Sequence, residues 1–84
     1  MYFTLFEANT AKYLLELNKN GWLYVVLLWD KSSAEIKEAY RFETKNYNEA
    51  KGIFLAKASL YNLTRFIKEV DNTDVYDYIE SQHD

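Results

Sequence analysis

An uninterrupted run of eight apolar and aromatic residues, 22–29, stands out along the chain. Asn20 and Gly21 precede the run, and Asp30 follows it. A strand with one side facing water alternates apolar and polar residues, whereas this run does not, so both of its sides are expected to be covered. The run is also too short to cross a membrane as a helix. The pattern predicts an interior β-strand over residues 22–29.

The residues before this run predict two further strands, over 2–6 and 12–18. Asn-Gly between two apolar stretches is a strong hairpin signal, because both residues tolerate a positive φ. With Asn20 and Gly21 at the turn, the expected cross-strand pairs place the apolar residues on one side; they are Leu17 with Tyr24, Leu15 with Val26 and Tyr13 with Leu28. A short helix running from a Thr10 cap through Leu17 is the competing interpretation.

A fourth strand is predicted over residues 35–43. Its apolar residues Ile36, Tyr40 and Phe42 point to one side and its charged residues to the other. Glu38 falls on the apolar side, which is typical of a strand at the edge of a sheet. The turn before this strand is polar and begins at Asp30.

Helical periodicity begins after Asn46. Asn46 followed three residues later by Glu49 resembles a capping box. Apolar residues then recur at helical spacing, and they are Ile53, Ala56, Leu60, Leu63, Ile67 and Val70. The pattern predicts one long helix over residues 47–70.

The last fourteen residues predict a short second helix over residues 74–81. Val75, Tyr78 and Ile79 form its apolar side. Its acidic residues recur every third position and would form a ridge; they are Asp71, Asp74, Asp77 and Glu80.

The expected fold is therefore one α+β domain over residues 1–84. A small three- to four-stranded antiparallel meander packs on one long helix, and a short C-terminal helix follows. One helix covers only one side of a sheet. The second apolar side of the predicted strand 22–29, formed by Leu23, Val25, Leu27 and Trp29, therefore needs another cover. The C-terminal helix, a second copy of the chain and a different partner are the three candidates.

Composition narrows the class of protein. The chain has no cysteine, which excludes a disulfide framework and thiolate metal sites. The N-terminal residues lack the basic start and long apolar run of a signal peptide. We expect a soluble protein in the cytoplasm, or in the host cytoplasm if the protein is viral.

Charge is distributed unevenly along the chain. Residues 1–70 contain ten basic and eight acidic residues, whereas residues 71–84 contain five acidic residues and no Lys or Arg, giving net charges of +2 and −5. Such asymmetry marks either an interaction segment or a solvated helix side. The sequence pI of about 5.1 argues against direct nucleic-acid binding, which needs concentrated positive charge.

Catalytic signatures are sparse, so we expect no enzyme, no metal and no cofactor. The only histidine, His83, lies next to the chain end, where a general base is poorly held. The only glycines, Gly21 and Gly52, do not form a phosphate-binding loop. A weak nuclease pattern of Asp30, Glu35 and Lys37 is the catalytic alternative, in which carboxylates hold Mg²⁺.

In general character the chain resembles the small inhibitors that phages encode against host defence or transcription machinery, such as anti-CRISPR proteins. The likeness is one of size, acidity and aromatic content, and it assigns no residue a role. It implies a non-catalytic binding protein that occupies a surface of its target. The charge pattern suggests one way to do so, since a ridge of carboxylates beside tyrosines could occupy a basic groove that normally holds a phosphate backbone. The expected target is a protein with a basic surface.

The candidate partner-binding residues lie in the acidic C-terminal segment. They are Asp71, Asp74, Tyr76, Asp77, Tyr78 and Glu80. The tyrosines would act as aromatic anchors between the carboxylates. The alternative function is a structural subunit that forms a homodimer through the uncovered side of the sheet.

Overall fold

The computed structural model describes residues 2–70 of the chain, and this part forms an α+β fold. The strands are β1 (Tyr2–Asn9), β2 (Tyr13–Asn20), β3 (Leu23–Asp30), β4 (Lys37–Thr44) and β5 (Ile67–Glu69). The helix α1 spans Tyr47–Leu60, and a 3₁₀ turn spans Thr64–Phe66. All strand pairs are antiparallel, in the order β4-β3-β2-β1-β5. The meander β1–β4 agrees with the prediction, but the sheet has five strands rather than three or four.

The β2–β3 hairpin is present, so the alternative helix over residues 10–17 is wrong. The predicted pairing is also shifted by two residues, since Leu17 lies opposite Val26 and Leu15 opposite Leu28. The shift arises because the two turn residues are Gly21 and Trp22, with Gly21 at φ 61°. A glycine with positive φ at the first turn position matches the twist of a hairpin.

Strand β4 lies at the edge of the sheet, as predicted, but not for the reason given from Glu38. The strand starts at Lys37, and Ile36 before it is exposed rather than paired. A register irregularity between Leu28 and Trp29 brings Glu38 opposite Trp29. Glu38 therefore lies on the opposite side of the sheet from Tyr40 and not on the apolar side as predicted.

The predicted helix 47–70 is wrong beyond Leu60. Asn46 caps the start, its Oδ1 accepting a hydrogen bond of 3.1 Å from the Glu49 backbone. At the other end Asn62 adopts φ 60°, while Asn62 N–H donates to the Ser59 carbonyl and Leu63 N–H to the Ala58 carbonyl. These two bonds form a Schellman motif, which ends a helix.

The core lies between α1 and one side of the sheet, which we call the helix side. Its buried residues are Ala8, Leu15, Leu17, Val26, Leu28, Ala50, Phe54, Ala58 and Leu63. Helix α1 packs on β2, β3 and β4, whereas the 3₁₀ turn packs on β1. Ile67, predicted on the long helix, instead lies half-buried in β5 opposite Ala8.

The predicted C-terminal helix 74–81 lies outside the described residues. Within residues 2–70, no helix is long and apolar enough to span a membrane.

Candidate functional site

A pocket of about 420 Å³ lies at one end of the fold. The β1–β2 turn supplies Thr10, Lys12 and Tyr13, and the end of α1 with the following turn supplies the opposite wall, notably Leu60, Tyr61 and Phe66. Pockets of this size suit a small ligand or one to two side chains of a partner. The pocket is therefore the candidate functional site among residues 2–70.

Hydrogen bonds hold the turn wall of the pocket in place. The Thr10 backbone N–H donates to the Tyr13 carbonyl at 2.8 Å, and the Tyr13 N–H donates to the Thr10 hydroxyl at 3.0 Å. The ring of Tyr13 then packs at a tilt against the ring of Tyr61, with the centroids 5.0 Å apart. This aromatic pair joins the β1–β2 turn to the end of α1, and both rings line the pocket.

The opposite wall depends on how α1 ends. Because Asn62 turns the chain with a positive φ, Leu63 folds back into the core and is buried. The 3₁₀ turn then brings Phe66 to the rim, where 41% of it stays exposed, while Leu60 stays 66% exposed. Large apolar side chains with this exposure around a concave surface are typical of a protein-binding site.

The rim of the pocket also carries positive charge. The Lys12 Nζ lies 5.5 Å from the Tyr13 ring centroid, and the Arg65 guanidinium lies 5.0 Å from the ring of Phe66. Both distances allow cation–π contact. The pocket thus combines an apolar, aromatic interior with Lys12 in its lining and Arg65 next to Phe66 outside it, which suits an apolar group beside a negative charge.

The second notable surface is the side of the sheet away from α1, which we call the open face. Strand β3 contributes Leu23, Val25, Leu27 and Trp29 to the open face, and β2 contributes Leu14, Glu16 and Asn18. The Trp29 indole N–H donates to a Glu16 carboxylate oxygen at 2.8 Å. At the β4 edge, Arg41 forms ion pairs of 3.3 Å with Glu38 and 2.8 Å with Glu43.

The nuclease alternative gains no support from the described geometry. Asp30 lies opposite Lys37, but the Asp30 carboxylate accepts hydrogen bonds from the Ser32 backbone and hydroxyl. Glu35 lies exposed in the loop between β3 and β4. Within residues 2–70, no group of three or more His, Cys, Asp or Glu side chains could hold a metal ion.

The same hydrogen bonds explain the one clear electrostatic perturbation in the described chain. The hydroxyl and backbone N–H of Ser32 stabilise the charged form of Asp30 and hold the pKa of that carboxyl below its ordinary value. Lys12 and Lys37 add a smaller effect in the same direction. Asp30 is half-buried at the end of β3, and the arrangement is a loop-stabilising turn.

The partner-binding residues predicted from sequence all lie outside the described residues; they are Asp71, Asp74, Tyr76, Asp77, Tyr78 and Glu80. The pocket, in contrast, was not expected, because Leu60 and Phe66 were both predicted to lie within one long helix over residues 47–70. The available signal was Asn62, since asparagine is second to glycine at the left-handed position that ends a helix.

Comparison of the chain with protein-family models, curated proteins and solved structures gave no match.

Proposed function

We propose that this chain is a small non-catalytic binding protein that acts by occupying a surface of a protein partner. The observation that supports the proposal best is the end pocket, with Leu60 and Phe66 exposed at its rim. Interfaces are commonly anchored by aromatic and aliphatic side chains of this kind, surrounded by a polar rim.

The pocket favours one chemistry in the partner. Lys12 and Arg65 place positive charge beside Tyr13, Tyr61 and Phe66. An apolar or aromatic side chain of the partner would enter the pocket, and a neighbouring carboxylate would face the two cations. Such complementarity guides the encounter and fixes the orientation of the partner.

The acidic C-terminal segment supplies a second proposed contact of opposite sign. Its residues Asp74, Asp77 and Glu80 would bind a basic region of the partner, with Tyr76 and Tyr78 as anchors. An inhibitor that mimics nucleic acid, such as a phage-encoded anti-defence protein, is the narrower form of this proposal. This narrower proposal is supported by the charge distribution, since residues 71–84 carry a net charge of −5 whereas residues 1–70 carry +2.

The pocket is tested by capturing crosslinked partners from a cell lysate with the full chain and with the double variant Leu60→Asp, Phe66→Asp. The matched control is Leu55→Asp, because Leu55 lies on the same helix, is 44% exposed and does not line the pocket. We expect the pocket variant to lose a partner that the native chain and the control both retain. A partner retained by all three proteins, or lost equally from the control, would contradict the pocket proposal.

The acidic contact is tested separately by the triple reversal Asp74→Lys, Asp77→Lys, Glu80→Lys. We expect weaker partner binding and a smaller dependence of binding on salt concentration, because fewer charge pairs remain to be screened. Unchanged affinity and unchanged salt dependence would remove the acidic segment from the interface.

A further inference from the structure

Two neighbouring residues on the open face are buried although no described helix packs on that face. Val25 is 1% exposed and Asn18 is 3% exposed, and the two lie opposite each other on β3 and β2. Helix α1 and the 3₁₀ turn both pack on the other side of the sheet. Side chains stand roughly perpendicular to a sheet, so strand neighbours lie beside Val25 rather than over it.

Trp29 accounts for part of the burial on this face, but not for Val25. The indole leans towards Glu16, which lies opposite Leu27, and therefore shields Leu27. Val25 is four residues from Trp29 along the strand, about 13 Å away, and is beyond the reach of the indole. The ion pair of Arg41 and Glu43 also borders Val25, on β4, but the two side chains stay 45% and 43% exposed, so a further cover over Val25 and Asn18 is expected.

Asn18 gives a second, independent sign of a cover. Among residues 2–70 its side-chain oxygen Oδ1 is buried and has no hydrogen-bond donor. An asparagine on an uncovered sheet face would satisfy this oxygen with water. Water is therefore excluded from this part of the open face.

We propose that the C-terminal segment, residues 71–84 of the same chain, packs over Val25 and Asn18 on the open face. The chain leaves the sheet at the correct place, because the Val70 N–H donates to the Leu5 carbonyl at 3.0 Å beside β1. Strand β5 and strand β3 are separated by three strand spacings, about 14 Å. A segment of this length spans about 21 Å even if it is fully helical, and so reaches β3 and crosses it.

The chemistry of the segment also matches the face. Val75 and Ile79 supply apolar side chains for Val25 and Leu27. The open face also carries four carboxylates beside Arg41 and Lys68; they are Glu7, Glu16, Glu38 and Glu43. The proposed contact is therefore apolar rather than electrostatic.

The C-terminal segment could cover the open face whether or not a partner binds. A segment seated through its apolar residues would present Asp74, Asp77 and Glu80 outwards and would close the open face to a second copy. The proposed homodimer and the intramolecular cover are therefore mutually exclusive uses of the same surface.

The experiment is NMR spectroscopy of the full chain, with isotope-filtered measurements on a mixture of ¹³C-labelled and unlabelled protein. We expect nuclear Overhauser effects from the Val25 and Leu27 methyl groups to residues 75–79 of the same molecule, unchanged on dilution. Effects found only between labelled and unlabelled molecules would assign the face to a second copy. Absence of both, with strong broadening of the Val25 methyl signals by a soluble paramagnetic probe, would show a vacant face and overturn the proposal.

A variant of the segment gives a second measurement in the full chain. The double change Val75→Asp, Ile79→Asp should raise the paramagnetic broadening of the Val25 methyl signals several-fold, while those of Val26 on the helix side stay unchanged. The control Asp74→Asn, Asp77→Asn alters acidic residues of the same segment and should leave Val25 protected. Equal protection of Val25 in the Val75, Ile79 variant and the native chain would contradict the proposal. Because no partner is added, this outcome is independent of the capture experiments.

Discussion

Asn18 and Val25 lie directly opposite each other on β2 and β3, and both are buried on the open face of the sheet. The pair places an amide beside an aliphatic side chain, and the Asn18 Oδ1 has no hydrogen-bond donor among the described residues. A buried acceptor without a donor keeps the full cost of leaving water. The unpaired Asn18 side-chain oxygen therefore lowers the stability of the folded state.

Replacing this amide with an apolar side chain should stabilise the protein. For Asn18→Val we expect the free energy of unfolding in urea to rise by about 1 kcal/mol, since the unpaired oxygen is removed and valine favours strands. Asn18→Asp should lower it by about 2 kcal/mol or more, because a charge would be buried without a partner. A loss of stability in Asn18→Val would show that the amide makes a hydrogen bond worth more than its burial costs.

Local apolar patterns were sufficient to predict the first four strands, since β3 is an unbroken apolar run and β4 alternates apolar and charged residues. The run 22–29 and the Asn-Gly signal located β3 and the hairpin, although the turn proved to be Gly21 and Trp22. The register was missed because Asn20-Gly21 and Gly21-Trp22 both place a glycine in the turn. The two registers differ by two residues and leave the same residues on the core side.

The end of α1 could not be predicted from periodicity. Leu63, Ile67 and Val70 continue the helical spacing, but Leu63 enters the core from a turn and Ile67 from a short strand. The positive φ of Asn62 ends the helix, and the 3₁₀ turn that follows packs on β1. The pocket was missed for the same reason, since it joins residues that are about fifty positions apart in the chain.

Replacing each of the two glycines with alanine should change the free energy of unfolding in opposite directions. Gly21 has φ 61°, and a Cβ built on it meets no atom within 4 Å, so backbone strain alone opposes a side chain there. Gly21→Ala should lower the free energy of unfolding by about 1 kcal/mol. Gly52 lies inside α1 with equally open surroundings, and Gly52→Ala should raise it by about 0.5–1 kcal/mol.

Urea unfolding of both glycine variants under the same conditions checks this pair. Equal effects at Gly21 and Gly52 would mean that the unfolded chain, rather than the native backbone conformation, determines the response.

Asn62 is predicted to act as the stop signal of α1. Asn62→Ala should lower the free energy of unfolding by about 1 kcal/mol, because a residue with a Cβ is strained at positive φ and alanine lacks the local hydrogen bonding of asparagine. Asn62→Gly should be neutral or slightly stabilising, since glycine is preferred at this position. Chemical denaturation measures the stability of both variants, and circular dichroism reports any lengthening of the helix. Equal stability of Asn62→Ala and Asn62→Gly would contradict the role assigned to the positive φ.

The hydrogen bonds in the turn at Asp30 should be detectable by titration, because they lower the pKa of the Asp30 carboxyl. The Ser32 hydroxyl and backbone N–H lower the pKa of Asp30 below its ordinary value. A carboxyl whose pKa is lower in the folded state stabilises that state above about pH 4. This contribution is lost as the pH falls through the folded-state pKa.

Ser32→Ala removes the stronger of the two hydrogen bonds, so the Asp30 pKa measured by NMR titration should move up towards its ordinary value. It should not reach that value, because the Ser32 backbone N–H still donates at 2.8 Å. Ser33→Ala is the matched control, since the Ser33 hydroxyl donates to the Glu35 carbonyl instead. An Asp30 pKa that moves equally in both variants would assign the effect to the loop as a whole. The nearby charges of Lys12 and Lys37 remain in both, so a difference between the variants isolates the Ser32 hydroxyl.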